Sequence, residues 1–259
     1  MGLSVLRPAR RSLLRALLAW GAVLLGTSAL VTTPAGAAVV PRSVSVSGVP
    51  AVGTLFTVAK DGTLGTHFCT ASVVASTPGD VVLTAAHCVS GRSTSSFVFV
   101  PDYHDGKAPY GIWAVTDVVV DGAWTSSENP DDDFAFLVVH RSGSSKAVQD
   151  VTGAEQIGID LPPGQLLTVV GYPDSAQGPI SCRNVMLLLN SAQLQFDCDG
   201  YTNGTSGSAL VVGANAATGL GTVVGVIGGF EQGGDAPSVS YASRFETNMT
   251  ALYRKVLAR

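Results

Sequence analysis

The sequence predicts an all-β protein built as two antiparallel six-stranded β-barrels with a C-terminal α-helix. Three observations carry this. Short runs of β-branched and aromatic residues recur, about six in each half of the mature chain, with Gly, Pro, Asn and Asp between them. Only 13% of residues are charged while Gly, Ser, Thr and Val abound, a composition suited to compact sheets with tight turns. Residues 244–259 carry apolar side chains at helical spacing instead.

Residues 1–37 read as a secretory signal peptide. Arg7, Arg10, Arg11 and Arg15 precede an apolar run from Ala16 to Val31, and small residues follow at Ala35-Gly36-Ala37-Ala38. A membrane span wants roughly 20 apolar residues; this run is shorter and is interrupted by Gly21, Gly26, Thr27 and Ser28. Cleavage is expected after Ala37 or Ala38. The pair Arg10-Arg11 also fits a twin-arginine signal, so the export route stays open. In residues 38–49, Val44, Val46 and Val49 are interleaved with Ser43, Ser45 and Ser47, which suits a short propeptide or an N-terminal strand.

The first barrel is expected over residues 50–145. Its strands are Leu55–Val58, Cys69–Val74, Val81–Leu83, Phe97–Val100, Ile112–Val120 and Phe134–Val139, punctuated by Pro101-Asp102, Asp105-Gly106, Asp121-Gly122 and Asn129-Pro130-Asp131. The second barrel is expected over residues 146–243, with strands at Leu166–Val170, Val185–Leu189, Leu194–Phe196, Ala209–Val212, Val223–Ile227 and Val239–Tyr241. Barrel closure removes exposed strand edges. Ser243 and Glu246 form a capping-box pattern, and Phe245, Met249, Leu252 and Val256 form one stripe. A helix from about Arg244 to Leu257 is expected to lay that stripe on the second barrel.

The leader carries four of the fifteen Lys and Arg and none of the nineteen Asp and Glu, so the mature chain is clearly acidic. Nucleic acid and anionic membranes are poor partners for it. Four cysteines in an oxidising compartment favour two disulfides. Three pairings exist in principle, and proximity favours Cys69 with Cys88 and Cys182 with Cys198. No Cys-x-x-Cys or His-x-x-x-His spacing suggests a metal site, and neither metal nor cofactor is expected. Short elements without a heptad pattern suggest a monomer.

Three polar residues stand in informative contexts: His87 in Ala85-Ala86-His87-Cys88, Asp133 before Phe134-Ala135-Phe136, and Ser206 in Gly204-Thr205-Ser206-Gly207. A serine hydroxyl is a poor nucleophile unless an imidazole takes its proton and a buried carboxylate orients that imidazole. Taken singly, His87 fits a core histidine at a strand end, Asp133 a turn acid and Ser206 a turn serine. Together, in the order His, Asp, Ser, they make a serine hydrolase. Asp133 is preferred because it directly precedes an apolar strand, whereas Asp131 and Asp132 read as turn residues after Pro130. His67, His104 and His140 have no such context.

The words Thr84-Ala85-Ala86-His87-Cys88, Asp133-Phe134-Ala135-Phe136 and Gly204-Thr205-Ser206-Gly207-Ser208 resemble the three signatures of the trypsin-like, chymotrypsin-fold serine proteases. The resemblance covers roughly residues 50–258. It implies that His87 is the general base and then acid, that Asp133 orients it, and that Ser206 attacks the scissile carbonyl of a peptide or protein substrate. It further implies an oxyanion hole from the N–H groups of Gly204 and Ser206.

Two departures matter. Thr205 stands where trypsin has an aspartate, and no Ile-Val-Gly-Gly start occurs, so activation by a new N-terminal amine is not expected and other contacts must hold the oxyanion loop. Ser208 and the run Cys198–Asn203 resemble the bacterial glutamyl-endopeptidase branch, yet Gly225–Phe230 contains no histidine to receive a carboxylate. The substrate pocket is expected between Asp199–Asn203 on one side, with Asp199, Gly200 and Tyr201 foremost, and Gly228–Glu231 on the other, with Gly228, Gly229 and Phe230 foremost. Asp199 or Glu231 is a candidate for a basic side chain, or both are loop carboxylates in solvent.

An esterase or lipase would need a histidine after the serine, and none follows Ser206. The other competing function is a secreted binding protein that has lost catalysis on the same fold; its usual mark, a missing triad member, is not found here.

Overall fold

The computed structural model describes residues 39–259; the leader expected over residues 1–37 lies outside the described residues. A two-residue strand, β1 (Val44–Ser45), precedes a closed barrel of six: β2 (Val52–Val58), β3 (Leu64–Val73), β4 (Val81–Thr84), β5 (Phe97–Pro101), β6 (Trp113–Val120) and β7 (Ala135–His140). They close in the order β2-β3-β4-β7-β6-β5, matching the six expected strands. Short helices α1 (Ala86–Val89), α2 (Gly122–Ser127) and α3 (Val148–Thr152) punctuate this half.

The apolar runs of β4 and β7 do not alternate with polar residues because both faces of these strands are buried. Val82, Ala135, Leu137 and Val139 point into the barrel with Leu55, Phe97, Phe99 and Trp113. Val81, Leu83 and Phe136 point the other way, into a second core with Val211, Val223 and Val226. Their antiparallel register sets Thr84 opposite Ala135. The chain three residues beyond Thr84 and two residues before Ala135 therefore emerges at one end of the barrel, which is where His87 and Asp133 stand.

The second sheet corrects the expectation of a closed barrel. Its strands are β8 (Gln156–Ile157), β9 (Leu166–Gly171), β10 (Ile180–Val185), β11 (Leu187–Leu188), β12 (Gln193–Asp197), β13 (Ala209–Val212), β14 (Thr222–Ile227) and β15 (Val239–Arg244). With β1 they form a nine-stranded sheet in the order β1-β10-β9-β13-β14-β15-β12-β11, with β8 parallel to β14. It is a half-barrel, open between β10 and β12. β1 occupies the outer edge of β10 at Ile180 and Ser181, an edge that closure would require. The next residue, Cys182, is bonded to Cys198 instead, and Asn184 reaches across with a side-chain donor to the Asp197 carbonyl at 2.6 Å.

The terminal helix, α4, spans Thr247–Leu257 and starts later than expected. Ser243 belongs to β15 and donates its hydroxyl to the Pro130 carbonyl at 2.8 Å, so it caps nothing. The stripe Phe245, Met249, Leu252 and Val256 packs into the core shared by both sheets, against Phe134 and Phe136 as well as Val223 and Val226. The helix thus seals the seam between the sheets rather than the second sheet alone.

Candidate active site

His87 lies on α1, one turn past β4, behind the fully buried Ala85 and Ala86. The neighbouring Cys88 is bonded to Cys69 on β3, which pins the turn to the barrel wall. The His87 ring nitrogen Nδ1 donates to Asp133 Oδ2 at 2.7 Å, and the His87 backbone N–H donates to Asp133 Oδ1 at 2.8 Å. Both carboxylate oxygens thereby fix one residue, ring and backbone, and Nε2 is left to face the cleft. The histidine side chain is 15% exposed and the aspartate 0%, as an orienting carboxylate requires.

Asp133 ends a 3₁₀ turn, Pro130–Asp132, and hydrogen bonds hold the Pro130 carbonyl and the side chains of Asp131 and Asp132. Asp132 accepts from Asn129 and, across the chain, from Asn248 on α4, each at 2.6 Å. Gln193 on β12 donates to the Pro130 carbonyl and to Asp131, and accepts from the Phe230 N–H at 3.2 Å. The Gly229 N–H adds a donor to Asp133 Oδ2 at 2.8 Å. Gly228 lies against the same carboxylate, where a Cβ would come within 2.8 Å of Oδ2. The turn-residue reading of Asp131 and Asp132 holds, but both also anchor the loop.

Ser206 is carried by the turn between Tyr201 and β13. Gly204 has φ +90°, and a Cβ there would lie 2.4 Å from the Asp174 backbone nitrogen, so only glycine fits. Thr70 on β3 donates its hydroxyl to the Gly204 carbonyl at 3.0 Å, and its N–H donates to the Ser206 carbonyl at 2.8 Å. The buried Thr205 donates its hydroxyl to the Thr202 carbonyl at 2.7 Å, and Ser208 donates to the Thr205 carbonyl at 2.6 Å. These contacts hold the loop without a salt bridge. Among the described residues, no acceptor receives the N–H of Gly204 or of Ser206.

His87, Gly204 and Ser206 border one cavity of about 380 Å³. No hydrogen bond joins the Ser206 hydroxyl to the His87 ring, a looseness ordinary in sites without substrate. The two sulfurs beside His87 are bonded to each other and offer no thiolate to a metal ion.

A second cavity of about 400 Å³ opens on the other side of Ser206. Of the residues expected to line it, Tyr201, Thr202 and Asn203 do, and the Tyr201 hydroxyl turns into the core toward the Val169 carbonyl. Asp199 is instead paired with Arg42 at 2.9 Å, and Gly200 donates its N–H to Pro237. Gly228 and Gly229 back Asp133, and Phe230 is 43% exposed against Tyr241. The opposite wall is formed by Gln232–Pro237 and Ser240, and the cavity's carboxylates are Asp174 and Asp235. A loop of Gly, Asp, Ala and Pro has no periodicity, so nothing in the sequence pointed to it. His67, His104 and His140 lie on β3, in a turn and at the end of β7, and none borders these two cavities.

A closed six-stranded barrel and a half-barrel, with a His–Asp pair and a serine loop facing one cleft, define a chymotrypsin-type fold. The family model described as Trypsin matches residues 45–247, and the chain belongs to the trypsin family of serine proteases. Among solved structures, the protease Anisep from Arthrobacter nicotinovorans is 25% identical, with a TM-score of 0.71 over 83% of this chain and 99% of that one. A thermostable serine protease, AL20, from an extremophilic microorganism is 26% identical, with a TM-score of 0.68 over 81% and 98%. A Glu endopeptidase in complex with MPD shares the fold at 16% identity, with a TM-score of 0.64 over 85% and 100%. A comparison with curated proteins found no match.

Proposed function

We propose that this protein is a secreted serine endopeptidase that cleaves peptide bonds through His87, Asp133 and Ser206 by way of an acyl-enzyme. The observation that carries this is the 2.7 Å bond from His87 Nδ1 to a fully buried Asp133, beside a cavity shared with Ser206. His87 Nε2 takes the Ser206 proton as Oγ adds to the scissile carbonyl. The N–H groups of Gly204 and Ser206, without an acceptor among the described residues, receive the oxyanion, each worth about 3–4 kcal/mol to the transition state. The tetrahedral adduct collapses, His87 gives the proton to the departing amine, and a water deprotonated by His87 hydrolyses the ester.

Export is part of the proposal, supported by the leader pattern and by two disulfides, Cys69–Cys88 and Cys182–Cys198. The test is digestion of a diverse peptide mixture by the mature protein, read by mass spectrometry beside Ser206→Ala. Internal cleavages absent from the variant support the endopeptidase. Intact peptides in both samples would favour a catalytically inactive binding protein on the same fold.

A further inference from the structure

The cleft around His87 and Ser206 is electrically lopsided. Glu128, Asp174, Glu231 and Asp235 border the three cavities that adjoin these two residues, and the one Lys or Arg among the lining residues is Arg92. Arg92 stands at the disulfide side of the cleft, in the cavity that also holds His87, Gly204 and Ser206. Its guanidinium makes no ion pair with the described residues. An aromatic face holds it instead: the guanidinium carbon sits 4.4 Å from the centre of the Phe68 ring, which is itself packed edge-on against Phe97. On its far side Arg92 borders a further cavity with Lys255 and with Arg259, the latter paired with Asp117 at 3.3 Å.

In the proposed mechanism His87 gives its proton to the departing amine, so the leaving-group side of a substrate lies on the His87 side of the cleft, in the cavity that Cys69, Cys88 and Arg92 also border. The cavity lined by Tyr201 and Gln232–Pro237, which His87 does not border, is left for the acyl side. We propose that Arg92 is a specificity-determining residue that binds a substrate carboxylate on the leaving-group side, within two residues after the scissile bond. A guanidinium is planar by resonance, and one stacked on a ring keeps its donor fork for a carboxylate; among the described residues Arg92 has no ion-pair partner. The carboxylate belongs either to an Asp or Glu side chain or to the C-terminus of a short substrate. The inference rests on the endopeptidase reading, since it presupposes a scissile bond at Ser206.

The test uses the mature protein and a peptide it cleaves in the mixture digest, resynthesised with Glu, Gln or Lys at each of the two positions after the cut. Each is made as the free acid and as the amide. The expected result is a kcat/KM for Glu above Gln by roughly five-fold, the scale of an exposed ion pair, shrinking in 1 M salt. Arg92→Gln is expected to erase the difference, Arg92→Lys to keep part of it and Arg92→Glu to turn the preference toward Lys. A Glu preference that persists in the amides assigns the side chain as the source; a preference for the free acid over the amide, whatever the side chain, assigns the C-terminus. Equal rates for Glu, Gln and Lys and for free acid and amide while cleavage proceeds, or a preference that survives Arg92→Gln, would overturn the role of Arg92 alone. No cleavage of any peptide would overturn the endopeptidase reading beneath it.

Discussion

The Gly229 N–H and the His87 ring donate to the same oxygen of Asp133, Oδ2, at 2.8 and 2.7 Å. One donor comes from the half-barrel and the other from the closed barrel, so the carboxylate that orients the histidine also joins the two sheets at the cleft. Asp133→Asn puts an amide where two donors expect an acceptor and selects the wrong imidazole tautomer. A fall of about 10,000-fold in kcat/KM is expected, with peptide binding retained; steady-state kinetics on a cleaved peptide check this.

Gln193 is 1% exposed and holds the Asp133 turn against the Phe230 N–H. Gln193→Leu orphans that N–H and frees Asp131, a loss of about 2 kcal/mol. The expected outcome is lower kcat, with a shifted pH dependence of kcat/KM because Asp133 loses its register. Denaturant melts and pH–rate profiles measure the two effects separately; an unaltered profile would reduce Gln193 to a packing role.

The sequence words around His87, Asp133 and Ser206 point to the proposed triad because each sits beside a strand whose apolar run marks its place. Gln193 was hidden: it lies between Ala192 and Leu194 with no motif, and its partners are 37 to 63 residues away. β10 was missed for a related reason. Its sequence, Ile-Ser-Cys-Arg-Asn-Val, is polar at the very positions where side chains and the disulfide replace ladder bonds. The Ser243–Glu246 pattern was a false helix start, since Ser243 is needed in β15 to reach Pro130. Asp199 was placed in the pocket by its neighbours in sequence, but Arg42, 157 residues away, takes its carboxylate.

Gly204→Ala tests the oxyanion geometry. A methyl 2.4 Å from the Asp174 nitrogen must push the loop aside and turn the Gly204 N–H away. The expected loss is about 100- to 1,000-fold in kcat, with the melting curve moved much less than the activity.

Glu155 is a buried carboxyl, 1% exposed, that accepts from the Gly221 N–H. Burial raises its pKa from 4.5 to about 7. The folded state therefore binds the proton more tightly than the unfolded state, and stability contributed by this group is present at low pH and lost as pH rises from about 4.5 through 7. Glu155→Gln is expected to match the wild type near pH 4.5 and to exceed it at pH 8 by about 2–3 kcal/mol. Thermal melts at the two pH values decide; an equal difference at both would refute the assignment.

Breaking the Cys182–Cys198 bond tests the open half-barrel. The double variant Cys182→Ala, Cys198→Ala is expected to lose about 3 kcal/mol, and the wall led by Tyr201 should loosen because no ladder joins β10 to β12 there. Hydrogen exchange at residues 198–203 is the readout, with faster exchange than at the β2–β3 ladder.

Ser206 is proposed to be a nucleophile activated by His87 and Asp133. The most direct measurement is labelling with a fluorophosphonate, whose phosphorus is attacked by an activated serine with loss of fluoride, followed by mapping of the adduct by mass spectrometry. One adduct per chain on Ser206, abolished in Ser206→Ala and strongly slowed in His87→Ala, is the predicted result. An adduct on another serine, or labelling of Ser206 at the same rate in His87→Ala, would contradict the account.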